Sequence, residues 1–532
     1  MKDRPILVLG GGINGAAAAR ELALNGTSVW LVDTADLAFG ATAYSSRLIH
    51  GGLRYLEFAE FSLVKESLQE RGRLLKLAPH LIKPLRLYIP VRNSWGGITQ
   101  AAGKFLGLPS RSKRTVHRGL RVVQVGLWLY DRYATTDDLP PRSLHRLDEP
   151  GVPRVSPEVA KRLWAYSDAQ ITYPERMVVA LLDDARALAA SHGSDFRVIT
   201  YSRATLRGET VEIHRMAGVE RSSTPADYGL ASLDHSHPDL AAEPIAIVEP
   251  AAIVNATGAW VDQTLARLPA PSQRLMGGTK GSHFLTHQTK LRELLGEGGV
   301  YTEARDGRPV FLLPFGDGVL VGTTDIPFEG DPATVVATEE ELDYLLAVVA
   351  EVFPEAGLAR EDIAMHQCGV RPLPFVDAKT PAAITRRHQL VWNGDCHVPL
   401  VSLVGGKLTT CRSLAEETTA SVLGRLGKQV TATSRERPIP RLAVDEALAA
   451  GGQAWRSAAA RSCEDEWVTR LEDLVERRLM LHFAPRITRR MLGDLAAVLV
   501  QCGKLDLAHA QPAIERCIAR LQSHFGIHIT DS

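Results

Sequence analysis

His50 and Arg54 stand four residues apart with two glycines between them, in Leu48-Ile-His50-Gly51-Gly52-Leu-Arg54-Tyr55. An imidazole titrates near neutral pH and can take a proton, while a guanidinium stays charged and forks onto carboxylate or phosphate oxygens. The glycines let backbone pass close to something flat, although a plain tight turn beside a solvated arginine would use the same residues. Upstream, Gly10, Gly12 and Gly15 follow the apolar run Ile6–Leu9 and lead into an Ala-rich segment. Gly10 permits a tight turn, Gly12 lets backbone approach a pyrophosphate, and Gly15 lets helix and strand pack closely. A second apolar run, Val29–Val32, ends at Asp33, 23 residues beyond Gly10, where a carboxylate can accept hydrogen bonds from a ribose diol. A nucleotide site and a candidate reaction site therefore share one stretch, and the spacing by itself does not separate FAD from NAD.

Two apolar runs flanking an Ala-rich segment read as strand, helix, strand, with the glycine turn at the helix start. The helix N-terminus then offers N–H groups and the positive end of its dipole to phosphates. At 532 residues the chain is too long for one core, and usual domain sizes give two to four units. Lys plus Arg number 61 and Asp plus Glu also 61, so no global field points to nucleic acid. Six cysteines are scattered without a CxxC pair or metal-ligand spacing, the usage of reduced thiols in a cytosolic setting. The first residues pass straight into an apolar run, so no signal peptide is expected. No run of 18 apolar residues predicts a transmembrane helix, and peripheral attachment stays open.

Between Asp33 and His50 the sequence Ala38-Phe-Gly-Ala-Thr42-Ala-Tyr-Ser45-Ser46-Arg47 is small, polar and turn-prone, as suits a loop approaching a cofactor. Residues 10–15, followed by Ser45-Ser46-Arg47-Leu-Ile-His50-Gly-Gly-Leu-Arg54-Tyr-Leu-Glu57, resemble the signature of FAD-dependent glycerol-3-phosphate dehydrogenases. That family lies in a larger group with the glycine and D-amino-acid oxidases. Val254-Asn-Ala-Thr-Gly258-Ala-Trp260, Gly278-Thr-Lys280-Gly-Ser-His283 and Gly322-Thr-Thr-Asp325 look like further family motifs. So do Gly369-Val-Arg371-Pro-Leu373 and Gly405-Gly-Lys407-Leu-Thr-Thr410, all in the family's order and jointly covering most of residues 5–425. The resemblance implies FAD and oxidation of sn-glycerol 3-phosphate to dihydroxyacetone phosphate, with hydride transfer to flavin N5 and electrons passed to a quinone-type acceptor. It further implies a cytoplasmic protein, with peripheral membrane attachment and a homodimer left open.

The expected fold is an α/β flavin-binding Rossmann-like domain with an interleaved α+β substrate domain and an all-α C-terminal domain. The flavin domain is expected in three pieces, residues 1–85, 173–270 and 366–428. The substrate domain takes residues 86–172 and 271–365, and the helical domain residues 429–532. Apolar spacing predicts helices over residues 61–77 and 177–192, and Thr338 predicts a capped helix over residues 339–352. Residues 246–254 read as one buried strand, residues 217–243 as a polar loop, and residues 462–480, 486–502 and 508–525 as amphipathic helices. Ile171-Thr-Tyr173-Pro174-Glu175-Arg176 stands where the family usually carries Tyr-x-Asp, which leaves the contacts there open. Pro174 itself is harmless in a first helical turn.

Residues 71–130 hold twelve Lys or Arg and no Asp or Glu, interleaved with apolar side chains such as Trp95, Phe105 and Trp128. Such a stretch can face an anionic membrane surface, where each base contributes on the order of 1 kcal/mol, or form a solvated basic face. No nucleic-acid-binding module is recognisable in it.

The implied chemistry needs cations for a phosphate dianion, a base at a hydroxyl, and a dry cavity. Arg54, Arg371 and Arg386 are the phosphate candidates on the family motifs. Tyr55, Lys280, Lys407 and Thr409 are further substrate contacts, the lysines also suited to stabilising a reduced, anionic flavin. His50 is the first choice of base and His283 the second. Cofactor contacts are expected from Gly10, Gly12, Asn14, Gly15 and Asp33, and from Thr42, Ser45, Ser46, Leu48, His50 and Gly51. Gly258, Gly406, Lys407, Leu408 and Thr409 complete that set, and no metal is expected. Two other readings stay open: an FAD oxidase or dehydrogenase of an amino or hydroxy acid, and a non-catalytic flavin-binding paralogue. The former would need one carboxylate-binding arginine and a more apolar pocket.

Overall fold

The structure is a computed structural model and describes residues 4–58, 60–92, 120–133, 139–216, 243–268, 270, 273–376, 387–394, 396–449 and 454–531. Ile6–Leu9 lies in the middle of a six-stranded sheet, paired in parallel with Val29–Val32 on one side and Ala252–Asn255 on the other. Phe196–Ile199 and Leu400–Val404 extend it in parallel, and Gln389–Asn393 closes one edge antiparallel. The central strands are buried at every residue, as a parallel sheet covered on both faces requires, and this explains their unbroken apolar runs.

Alternate side chains serve two cores. Ile6, Val8, Leu31 and Val254 pack with the helices Ile13–Leu24, Pro174–His192 and Cys411–Arg425. Leu7, Leu9, Trp30 and Ile253 pack with a small antiparallel sheet, Ser202–Arg207, Thr210–Arg215 and Ala246–Val248, and with the helix Val261–Arg267. The apolar residues 246–254 thus form two strands in two sheets rather than one, broken at Pro250.

The second large sheet has ten strands, including Met276–Thr286, Pro309–Phe315, Ile82–Val91 and Arg162–Ile171. Leu48–Ile49, just before His50, pairs antiparallel with Arg162–Ile171 in this sheet. Ile363–Pro374 pairs along the length of Met276–Thr286. The boundaries read from sequence at 85/86 and 365/366 therefore fall inside strands of the second sheet. The helix Phe61–Leu77 forms over its expected span, and Glu339–Val352 starts at a capping box formed by Thr338 and Glu341.

The tail contains the helices Ala443–Ala449, Trp455–Asp465, Arg489–Gln501 and Ala510–Phe525. The helix expected over residues 462–480 is interrupted, giving way to a π-helical turn at Asp473–Arg478. Leu474, Leu495 and Phe525 join Leu285, Leu313 and Phe315 in one core, which seats the tail on the second sheet. Among the described residues no helix is long and apolar enough to cross a membrane.

Of the basic stretch, residues 93–119 lie outside the described residues, as does the polar segment 217–242. Arg71 is buried against Asp168 at 2.9 Å, Arg73 pairs with Glu70, and Arg86 donates to Ser167 and to the carbonyls of Pro140 and Pro141. These three bases are bonded within the protein, which corrects the reading that the whole stretch faces outward.

Candidate active site

A cavity of about 310 Å3 lies at the carboxyl ends of the parallel strands, lined by Leu9, Val32, Ala256 and Gly405 where those strands end. Gly10 lines it at φ +104°, and a Cβ there would come within 2.6 Å of the Ala256 carbonyl oxygen, so only glycine fits the turn. Gly12 and Asn14 bring the start of the helix Ile13–Leu24 to the cavity wall with no side-chain cap at Gly12. The Ile13 N–H donates to Thr42 Oγ1 at 3.1 Å, which fastens the loop carrying Thr42, Ser45 and Ser46 across the helix end. Gly15 sits behind this wall, where a Cβ would lie 1.9 Å from the Gly10 carbonyl oxygen; it serves close packing and does not line the cavity.

Asp33 lines the same end. Its carboxylate accepts from the Gly11 N–H at 2.5 Å and the Ala35 N–H at 2.8 Å. Burial is the main cause that raises its pKa to about 6, against the lowering effect of those two donors. A ribose diol would add donors that favour the ionised form. Protonating Asp33 should therefore weaken dinucleotide binding, with the dissociation constant rising up to about tenfold per pH unit below 6. Asp33→Asn should bind more weakly at pH 7 and lose that pH dependence. Titrating apoprotein with FAD by flavin fluorescence from pH 5 to 8 checks this, and a constant affinity in the wild type would refute it.

Farther along, Lys407 and Thr409 line the cavity beyond the end of a first-sheet strand, while His50 and Tyr55 follow Leu48–Ile49 of the second sheet, which also brings in His283 and Arg371. The His50 N–H donates to Thr409 Oγ1 at 3.1 Å, and that hydroxyl lies 3.3 Å from the His50 carbonyl oxygen, so the loops 48–52 and 405–409 are held by a single side chain. Lys407 Nζ sits 3.9 Å from the Tyr55 ring centroid, a cation–π contact, and the His50 and Tyr55 rings are 6.4 Å apart. His283 Nε2 is 2.9 Å from Ser46 Oγ. Burial, reinforced by the Arg371 and Arg47 charges, lowers the His283 pKa to about 3, so it is a neutral imidazole across the physiological range. Arg371 donates to Thr323 Oγ1 at 2.7 Å, to the Thr324 carbonyl oxygen at 2.9 Å and to Asp325 at 3.1 Å, and its side chain is 24% exposed, enough to reach a ligand.

Leu48, Gly258, Gly406 and Leu408 also line the cavity. Gly51 does not; its N–H donates to Tyr130 Oη at 2.8 Å, and Tyr130 donates to buried Asp168 at 2.6 Å, which is paired with Arg71. Lys280 points to the opposite face of its strand and pairs with Glu341 at 2.7 Å, so the structure withdraws it from the substrate set. Arg54 lies in the 3-10 turn Leu53–Phe58 beside Tyr55 but is not among the cavity's lining residues. Arg386 lies outside the described residues. The cavity also takes in Phe39, Tyr44, Arg203, Trp260 and Arg267. Trp260 ends a motif and could have been read from it; Arg203 and Arg267 are single basic residues outside any motif and carry no such signal. No group of three or more His, Cys, Asp or Glu residues placed to hold a metal ion occurs among the described residues.

A glycine turn at the head of a parallel sheet, a buried acid after the second strand and a chamber completed by a second sheet define a dinucleotide-dependent oxidoreductase fold. A family model described as FAD dependent oxidoreductase matches residues 5–412, and the chain belongs to that family. A glycerol-3-phosphate dehydrogenase of Synechocystis is 32% identical over 98% of this chain and 90% of its own length. The aerobic glycerol-3-phosphate dehydrogenase of Escherichia coli is 34% identical over 78% of this chain and 72% of its own. A D-erythritol 1-phosphate dehydrogenase of Brucella abortus is 33% identical over 77% and 72% respectively. Among solved structures, a glycerol-3-phosphate dehydrogenase of Bacillus halodurans complexed with FAD superposes with a TM-score of 0.67 over 98% of this chain and 95% of that one, at 19% identity, which shows the fold. The residues fit FAD: the crowded turn at Gly10 and a helix start that has glycine, with no side chain, at its N-cap suit a pyrophosphate, and Asp33 suits the ribose.

Proposed function

We propose that this protein oxidises sn-glycerol 3-phosphate to dihydroxyacetone phosphate and passes the electrons to a quinone-type acceptor. The observation that carries this reading is that Arg371, Lys407 and His50 open into one cavity with the FAD-holding residues, supplying two cations and a base. When bound, FAD supplies a hydride acceptor. Arg371 and Lys407 hold the phosphate dianion, and His50 takes the proton of the C2 hydroxyl. Tyr55, between His50 and Lys407, closes that end of the chamber against water. The names of the relatives from Synechocystis and Escherichia coli support the same substrate. The flavin domain is proposed to comprise the first sheet and its helices, and the substrate domain the second sheet. A cytoplasmic station, with an anionic membrane surface as partner through the remaining bases of residues 71–130, is part of the same proposal.

The relative named for D-erythritol 1-phosphate is about as similar as the glycerol-3-phosphate dehydrogenase of Escherichia coli, which favours a longer polyol phosphate as the second reading. Anaerobic bleaching of the holoenzyme decides between them. Bleaching by glycerol 3-phosphate well ahead of D-erythritol 1-phosphate supports the first; the reverse order selects the second; bleaching only by amino acids refutes both.

Arg371 gives a sharper expectation. Two charge-assisted hydrogen bonds to phosphate contribute about 1.5–3 kcal/mol each, so Arg371→Ala should raise KM by about 10²–10⁴-fold. Arg371→Lys keeps the charge but cannot reproduce the fork that also holds Thr323, Thr324 and Asp325, and should recover only part of the loss. Steady-state kinetics with glycerol 3-phosphate test this, and an unchanged KM in Arg371→Ala would remove the residue from phosphate binding.

A further inference from the structure

Among the described residues, none of the C-terminal domain lines the cavity, whose lining ends at Thr409. It is nevertheless bonded to the residues that do the lining. Residues 34–47 contain neither helix nor strand, so their order has to come from what they touch. At one end of that loop Asp36 accepts from Arg477 Nε at 2.6 Å and from both terminal nitrogens of Arg478 at 2.9 Å. At the other end Tyr44 Oη accepts from Arg520 at 3.3 Å. Between them the guanidinium carbons of Arg477 and Arg520 lie 5.9 and 5.7 Å from the Phe39 ring centroid.

The facing wall is tied to the same cluster. Tyr201 donates to Asp473, and the next residues, Ser202 and Arg203, line the cavity. The Ser202 N–H donates to the Asp33 carbonyl oxygen at 2.8 Å and the Tyr201 N–H to the Ala35 carbonyl oxygen at 3.1 Å. Glu476 completes the set, accepting from Arg477 at 2.7 Å and from Arg520 at 3.0 Å. Three acids and three arginines thus close on one another. Asp36, Asp473, Glu476, Arg477 and Arg478 have side chains 4% exposed or less, so none of these charges has water to fall back on if the domain moves away.

We infer that the helical C-terminal domain acts as a cofactor clamp: Arg477, Arg478 and Arg520 hold Asp36 and Tyr44, and Asp473 holds Tyr201, so that FAD retention depends on residues that never touch FAD. The inference rests on the cavity being the FAD site. Because binding couplings are reciprocal, bound FAD must in turn tighten the docking of the tail.

Two measurements test this. In the first, FAD release from diluted holoenzyme is followed by flavin fluorescence. Asp36→Asn and Arg520→Gln should release FAD at least tenfold faster than wild type, whereas Arg489→Gln, which removes exposed tail ion pairs with Glu515 and Asp531, should not. Wild-type release rates in the first two, with a lowered melting temperature, would reduce the network to ordinary structural support and overturn the clamp. In the second, which needs no variant, hydrogen exchange at residues 473–478 and 520–525 is compared between wild-type apoprotein and holoenzyme. Exchange several-fold slower with FAD supports the clamp, and equal exchange in a protein that does bind FAD overturns it while leaving the FAD site intact. A wild-type chain that takes up no FAD in titration overturns both together.

Discussion

Replacing His50 by alanine should slow reduction of the bound flavin by substrate about 10²–10⁴-fold, the usual contribution of a positioned general base, and should leave FAD bound. Both halves of the expectation come from the same contacts. His50 meets Thr409 through its backbone N–H and carbonyl, so removing the ring leaves the link between the two cavity loops in place. The ring itself belongs to the group with Tyr55 and Lys407 that lines the chamber. The other candidate, His283, is the poorer base. Its pKa of about 3 reflects burial and the nearby Arg371 and Arg47 charges, and such an imidazole holds almost no proton at neutral pH. Its 2.9 Å contact with Ser46 gives it a different task, fastening the cofactor loop to the second sheet. Single-turnover bleaching under anaerobic conditions separates the two. His50→Ala should lose the rate, and His283→Gln should keep most of it. Equal reduction rates in His50→Ala and wild type would sink the assignment.

What could be read from the sequence was what short-range chemistry dictates. Gly10 is demanded by a carbonyl 2.6 Å from where its Cβ would be, and the helix Glu339–Val352 by a four-residue capping box, Thr338 to Glu341. Pro250 marked the break between Ala246–Val248 and Ala252–Asn255, although the apolar run around it invited a single strand. Lys280 could have been excluded by parity: on a strand, residues 281 and 283 share a face and residue 280 takes the other, toward Glu341. Motif membership alone could not show this. The tail was opaque for a different reason. A helix through residues 473–478 satisfies the local pattern, and its π-helical turn makes sense only beside Asp36, more than four hundred residues earlier in the chain. No window of sequence contains both partners.

The same long reach accounts for Tyr173-Pro174-Glu175, whose contacts the sequence left open. Glu175 is fully buried and takes Arg47 in a two-pronged bond, with Nη2 at 2.6 Å and Nη1 at 3.0 Å. Arg47 also donates to the carbonyls of Thr172 and Ala43, and its guanidinium lies 5.5 Å from the Phe315 ring centroid and 4.5 Å from that of Phe483. Cofactor loop, second sheet and tail therefore meet on one cation, which holds the chain between Ser46 and Leu48 at a left-handed φ of +58°. Glu175→Ala leaves that cation buried without its counter-charge, and breaking such a pair costs about 3–5 kcal/mol, a large part of a typical domain's 5–15 kcal/mol. The variant should show a correspondingly lower denaturant midpoint and, since Ser46 and Leu48 line the cavity, faster FAD loss. Replacing both partners, Arg47→Met with Glu175→Leu, should recover much of the stability, because neither charge is then stranded. Recovery of stability without recovery of FAD retention would place the value of the pair in positioning the cofactor loop. A Glu175→Ala protein within about 1 kcal/mol of wild type would show that water or a rearranged acceptor reaches Arg47, against its complete burial.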